Sequence, residues 1–170
     1  MNVNEAIRMK RAVRQFSDQP LPDEAVQEIL RAGRRAQSSK NTQPWQFIAI
    51  RDKGTLKSLS ECGTYAGHLE GAALGVAILT PDPNERFSIM LDAGQASAYM
   101  QLAAWELKIG SCLATIYDQD AARQLLGYPE KLHLNIAISF GYPVDDAYLT
   151  TPPQKGGRRP FDDIVHWDRW

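Results

Sequence analysis

Lys10, Arg11 and Arg14 place three cations within the stretch KRAVRQF, residues 10–16. An ammonium is a compact point charge and a guanidinium a planar fork, so together they suit a phosphate. The same cations also suit the end of a helix, where they offset its negative pole. A second stretch, QSSKNTQPWQF at 37–47, crowds Ser38, Ser39, Lys40, Asn41 and Gln43 between two apolar segments. Serine and asparagine hydrogen-bond their own backbone in turns. An ordinary turn needs fewer such groups, so the excess points to hydrogen bonds with something that is not protein. A third stretch, KGGRRPF at 155–161, has two glycines that permit close backbone approach, followed by Arg158 and Arg159. It reads as an anion loop or as a flexible basic linker. No acid, base or nucleophile stands out. Cys112 has no histidine near it in sequence and reads as a small residue packed in a strand.

The elements that must position these groups belong to one domain. The chain has 170 residues, enough for a single core. A net charge of −1 gives no reason to expect nucleic acid or an anionic membrane as partner. No apolar run approaches the ~20 residues that span a bilayer, and the first residues, MNVNEAIRMKR, lack the apolar segment of a signal peptide. Cys62 and Cys112 lie far apart, which fits free thiols in a reducing cytoplasm. His68, His133 and His166 are scattered without ligand spacing, so no zinc site is expected.

Along the chain, Asn4 is expected to cap a short helix, EAIRMK, with Ile7 and Met9 turned partly inward. LPDEAVQEILRAGRRAQ reads as a helix with Val26, Ile29, Leu30 and Gly33 on one face. Strands are expected at 45–51, at 72–80, at SCLATI and at 132–141, with a weak helix at 53–62 and a capped helix, DQDAARQLLG, ending at Gly127. The segment 86–108 is apolar nearly all round. That predicts a helix buried on every side, as a core element or one shared with a second subunit. The alternation implies an α/β or α+β sandwich. Residues 151–170 carry too many prolines and glycines for the core, yet hold Phe161, Ile164, Val165, Trp167 and Trp170. Exposed aromatics have no stabilising partner, so this arm is expected to lie on something.

The order RAVRQF, SSKNTQPWQF, KIGSC at 108–112, FGYP at 140–143 and GRRPFDDIVHW resembles the nitroreductase family of FMN-dependent oxidoreductases over essentially the whole chain. The NTQPW loop carries the resemblance most specifically. It implies an α+β fold with a mixed sheet of about four strands flanked by helices and a long buried central helix. Residues 1–150 would form the FMN-binding domain, and 151–170 an arm laid over the partner subunit of a homodimer. It implies that Lys10 and Arg11 face the FMN phosphate and Arg14 the N1/C2 carbonyl edge of the ring. Ala12 stands where the family often has serine, which removes a hydroxyl contact, and Gln37 where proline is common. Ser38, Ser39, Asn41 and Gln43 match the loop against the flavin, usually supplied by the partner. Ser111, Cys112, Leu113 and Ala114 match the segment near the reactive N5, and Arg158 and Arg159 the C-terminal phosphate ligands. The implied activity is NAD(P)H-dependent reduction of electron-poor acceptors, such as nitroaromatics or quinones, by a ping-pong route. FMN carries the chemistry, so no catalytic side chain or metal is called for. Flavin chemistry of another kind, such as reductive dehalogenation or flavin cleavage, and a non-enzymatic RNA-binding module through Arg34/Arg35 and Arg158/Arg159 are the alternative readings. No GxGxxG fingerprint is present to choose between NADH and NADPH.

Overall fold

The computed structural model describes residues 2–151 and 157–170. Pro152, Pro153, Lys155 and Gly156, on which part of the basic C-terminal motif falls, lie outside the described residues. The helices are α1 (Val3–Met9), α2 (Asp23–Arg34), α3 (Lys53–Glu61), α4 (Ser88–Glu106), α5 (Gln119–Leu126) and α6 (Ala147–Thr150). The strands are β1 (Gln46–Ile50), β2 (Leu74–Thr80), β3 (Gly110–Thr115) and β4 (His133–Gly141). They form one sheet in the order β1-β2-β4-β3. The sheet has four strands, as expected, and every neighbouring pair of named strands is antiparallel. The only parallel pairing among the described residues is an isolated bridge between Ala12 and Ser111.

β2 is buried at every position because both faces of the sheet are covered. Val76 and Ile78 point into a core with α2 and α4, where Ile29, Met100 and Phe140 are packed. Ala77 and Leu79 point into a second core with α3 and α5, around Leu56, Leu59 and Ala122. This alternation along a pleated strand explains an apolar run without an exposed face. α2 and α4 cross closely at Gly33, where a Cβ would stand 2.1 Å from Met100 Cε.

Two sequence expectations about the first helix need correction. The first helix is capped by Asn2, whose side chain accepts from Glu5 N at 2.9 Å, rather than by Asn4. Ala6 is the buried residue of this helix, and Ile7, expected to turn partly inward, is exposed. Within one chain α4 is not buried all round. Leu91 and Tyr99 are exposed, with Gln95 and Ala98, along one stripe at helical spacing.

Candidate functional site

The basic segment is fixed to the sheet by backbone bonds and by two absent side chains. Val13 N donates to Ser111 O at 2.9 Å, and Ser17 N to Tyr142 O at 2.8 Å. Gly110 and Gly141 are opposite one another across β3 and β4. A Cβ on Gly110 would stand 2.7 Å from Val13 Cβ, and one on Gly141 2.9 Å from the Phe16 ring. The two glycines thus make the bed in which Val13 and Phe16 lie, and so set where the cations between them stand.

Those cations diverge. Lys10 Nζ donates to Gln101 Oε1 on α4. Burial pushes the Lys10 ammonium down, with the Cys112 sulfur opposing. Arg11 turns the other way. Its Nη2 donates to Ala147 O at 2.6 Å, its guanidinium stands 5.7 Å from the Tyr148 ring centroid, and its buried Nε has no partner. Ala12 is exposed beside its bridge to β3. Arg14 lines a cleft of about 650 Å³ with Gln15, Tyr65, Gly67, His68 and Leu113.

Ser111 and Cys112 are buried, Leu113 is open to the cleft side, and Ala114 packs into the α3/α5 core. Ser111 Oγ is buried without a partner. Burial pushes the Cys112 thiol up, opposed by Arg14 and Lys10. A protonated, buried thiol is a packing group and not a nucleophile. Beneath the cleft, His68 Nδ1 lies 2.7 Å from Ser139 Oγ, which reaches Cys112 O at 3.3 Å. Burial and then Arg14 push the His68 imidazole down, while the Leu113 backbone opposes them.

The polar loop forms a separate construction. Ser39 N donates to the buried Asp92 Oδ1 at 3.0 Å, and Arg86 Nη2 to Thr42 Oγ1 at 2.8 Å. Ser38 Oγ accepts from Gln43 N at 2.9 Å, and Gln43 Nε2 donates to Asn41 Oδ1 at 3.1 Å. Lys40, Asn41 and Gln43 adopt φ of 53°, 54° and 46°. Left-handed backbone costs roughly 1–2 kcal/mol per ordinary residue, and such strain concentrates where a segment must present groups to a ligand. The loop is anchored at Asp92 and the basic segment at Gln101, nine positions on in α4. That spacing is about 14 Å and half a turn, so the two anchors face opposite sides of the helix.

Arg158 and Arg159 are exposed, with Arg159 Nη2 donating to Asp163 O at 2.8 Å. Around them Phe161, Ile164 and Trp167 are exposed, and Trp170 is 99% exposed. One chain therefore gathers Lys10, Arg14 and Ser111–Leu113, and leaves the polar loop and the C-terminal arginines elsewhere. Sequence reasoning missed His68, Ser139, Gln101 and Asp92. Each acts through a partner far away in sequence, and no local motif marks any of them.

The family model for nitroreductases matches residues 7–67 and 60–142. A protein of Archaeoglobus fulgidus named as a candidate NADH dehydrogenase/NAD(P)H nitroreductase is 31% identical over 171 residues, covering 96% of each chain. The chain belongs to the nitroreductase family. Among solved nitroreductases, an FMN-dependent one from Clostridium difficile R20291 superposes with a TM-score of 0.84 at 28% identity, covering 99% of this chain and 100% of that one. A candidate nitroreductase from Desulfovibrio desulfuricans, solved in complex with FMN, gives a TM-score of 0.81 at 28% identity, covering 100% and 99%. Among the described residues, no helix is long and apolar enough to cross a membrane, and no cluster of histidine, cysteine and carboxylates is placed to hold a metal.

Proposed function

We propose that the protein is an FMN-dependent oxidoreductase that takes hydride from NADH or NADPH and passes it to an electron-poor acceptor such as a nitroaromatic or a quinone. The observation that carries this reading is the Ala12–Ser111 bridge, which holds the basic segment against β3 so that Arg14 lines one cleft with Leu113. The residues present fit the cofactor. Ser111 Oγ, on β3 beside the cleft, is a buried polar atom without a partner, and such atoms are rare unless a ligand completes them. When bound, FMN supplies the two-electron hydride chemistry. The chain's part is to hold and tune it. Lys10, with Arg158 and Arg159, would meet the phosphate; Arg14 would meet the ring edge where negative charge collects on reduction.

The site is completed by a second copy of the chain. Three features support this: the opposite faces taken by the two anchors on α4, the open stripe of Leu91 and Tyr99, and the uncovered aromatics of the C-terminal arm. In a homodimer the loop Ser38–Gln43 of one subunit would close the cleft of the other, and the arm from 151 onward would lie across its partner. The absorbance spectrum of the purified protein tests the central claim. A flavin spectrum is expected, with the chromophore released by denaturation, because no residue is arranged for covalent attachment. A colourless protein that cannot be reconstituted with FMN would overturn it. Turnover with each nicotinamide donor and a panel of quinones and nitroaromatics then assigns the reactants.

A further inference from the structure

His68 is unlike an ordinary buried histidine. Its side chain is buried; Nδ1 bonds Ser139 Oγ, while Nε2 makes no hydrogen bond although the Leu113 backbone stands where it favours the protonated ring. Ser139 Oγ donates to Cys112 O at 3.3 Å, which is compatible with the tautomer that carries the His68 proton on Nδ1. In that tautomer Nε2 is a buried nitrogen without a hydrogen-bond partner. A satisfied core histidine would not leave that atom bare. The ring lines the same cleft as Arg14.

We propose that His68 is the proton acceptor coupled to Arg14: when negative charge enters the cleft, Nε2 takes one proton from solvent, and it returns the proton when the charge leaves. This rests on the oxidoreductase reading for the source of the charge. A hydride from the nicotinamide donor brings two electrons and one proton, leaving one net negative charge in the cleft. The solvent proton on Nε2 balances it. When the hydride passes to a quinone-class acceptor, the oxygen anion formed takes that proton. The sum is reduced donor plus H⁺ plus acceptor giving oxidised donor plus the acceptor reduced by two electrons and two protons.

The surroundings favour this coupling. Arg14 is the charged group whose field reaches His68 from the N-terminal segment, and it opposes protonation while the cleft holds no counter-charge. From β3 the facing group is the Leu113 backbone, which favours the protonated ring, and from β4 the hydroxyl of Ser139. On α3, the element packed against the His68 turn, Lys53 is turned to Ala72 O and Lys57 to Glu70. Tyr65 lies on the cleft rim. An anion beside Arg14 cancels the one unfavourable charge, so proton uptake and anion entry reinforce each other.

Two measurements test the coupling. The first needs no cofactor. The titration of His68 is followed by NMR in the wild type, Arg14→Gln and Arg14→Glu, and its midpoint should rise stepwise through the series as the neighbouring charge goes from positive to negative. An unchanged midpoint overturns the proposal. The second follows the midpoint potential of the FMN-loaded protein against pH. Between about pH 5 and 7 the wild type should bind one more proton per two electrons than His68→Asn, a tenfold effect per pH unit, or ~30 mV. Asparagine keeps a donor for Ser139 and removes the titrating nitrogen. Coincident slopes overturn the proposal. A protein that binds no FMN defeats the cofactor reading instead, and the charge series still decides the coupling.

Discussion

Arg14 and Lys10 are four residues apart and stand in different surroundings. Arg14 is open to the cleft, whereas Lys10 is half-buried against Gln101. A cation about 4 Å from a developing negative charge, at an effective dielectric of ~20, stabilises the reduced ring appreciably. Arg14→Ala should therefore lower the flavin potential by tens of millivolts, on the order of 90 mV at most. Lys10→Ala should weaken FMN binding with little change in potential. Spectroelectrochemistry and fluorescence titration of both variants separate the roles, and identical behaviour would refute the division. His68 also predicts a pH dependence of stability. Its folded pKa lies below the ordinary 6.5, so the unfolded chain binds the extra proton first. Stability should be full above pH ~6.5 and fall as the pH drops through that value towards the folded pKa. Thermal melts of the apoprotein between pH 5 and 8 should show the fall in wild type and a shallower one in His68→Asn.

The elements that carry the cations are held by what is missing from β3 and β4. Gly110→Ala or Gly141→Ala puts a methyl into Val13 or Phe16. Overpacking of that kind costs about 1–3 kcal/mol, and here the yielding part is the segment 10–16. FMN affinity should drop while circular dichroism stays the same, and adding Val13→Ala to Gly110→Ala should restore binding. Asp92 has the equivalent role for the polar loop. Asp92→Ala would strand the Ser39 N–H and remove the carboxylate that Arg86 approaches at 3.9 Å. The expected destabilisation is ~1–3 kcal/mol in urea unfolding. These elements were also the most legible in the sequence. β2 and β4 announced themselves as apolar runs, and Gly127 closed α5 in the left-handed conformation its residue type implies. Strand direction was not legible, because burial on both faces produces the same apolar run in either direction. The cap of α1 was missed because Asn2 and Asn4 are equivalent by type. Only the phase of Ala6 against the core decides between them.

For the whole molecule the unsolved surface is the C-terminal arm. Phe161, Ile164, Trp167 and Trp170 are exposed in one chain, and burying two such side chains is worth about 3–6 kcal/mol. Deleting residues 157–170 should weaken the dimer and strip FMN. Added FMN should raise the melting temperature of the full chain far more than that of the truncation. Sedimentation and flavin content of both forms check this, and a truncated protein that stays dimeric and fully flavinated would remove Arg158 and Arg159 from the site. Between the two ends of the molecule, α4 acts as a ruler. One residue inserted between Asp92 and Gln101 would advance one anchor by about 1.5 Å and swing it by about 100° relative to the other. In the proposed homodimer the loop on one subunit would then no longer meet the cleft of its partner. The stretch 81–87 ahead of α4 lies outside that interval, and residues added there leave the ruler unchanged. The span of α4 between its two anchors is thus the length least free to change, and added residues would be tolerated in the loops instead.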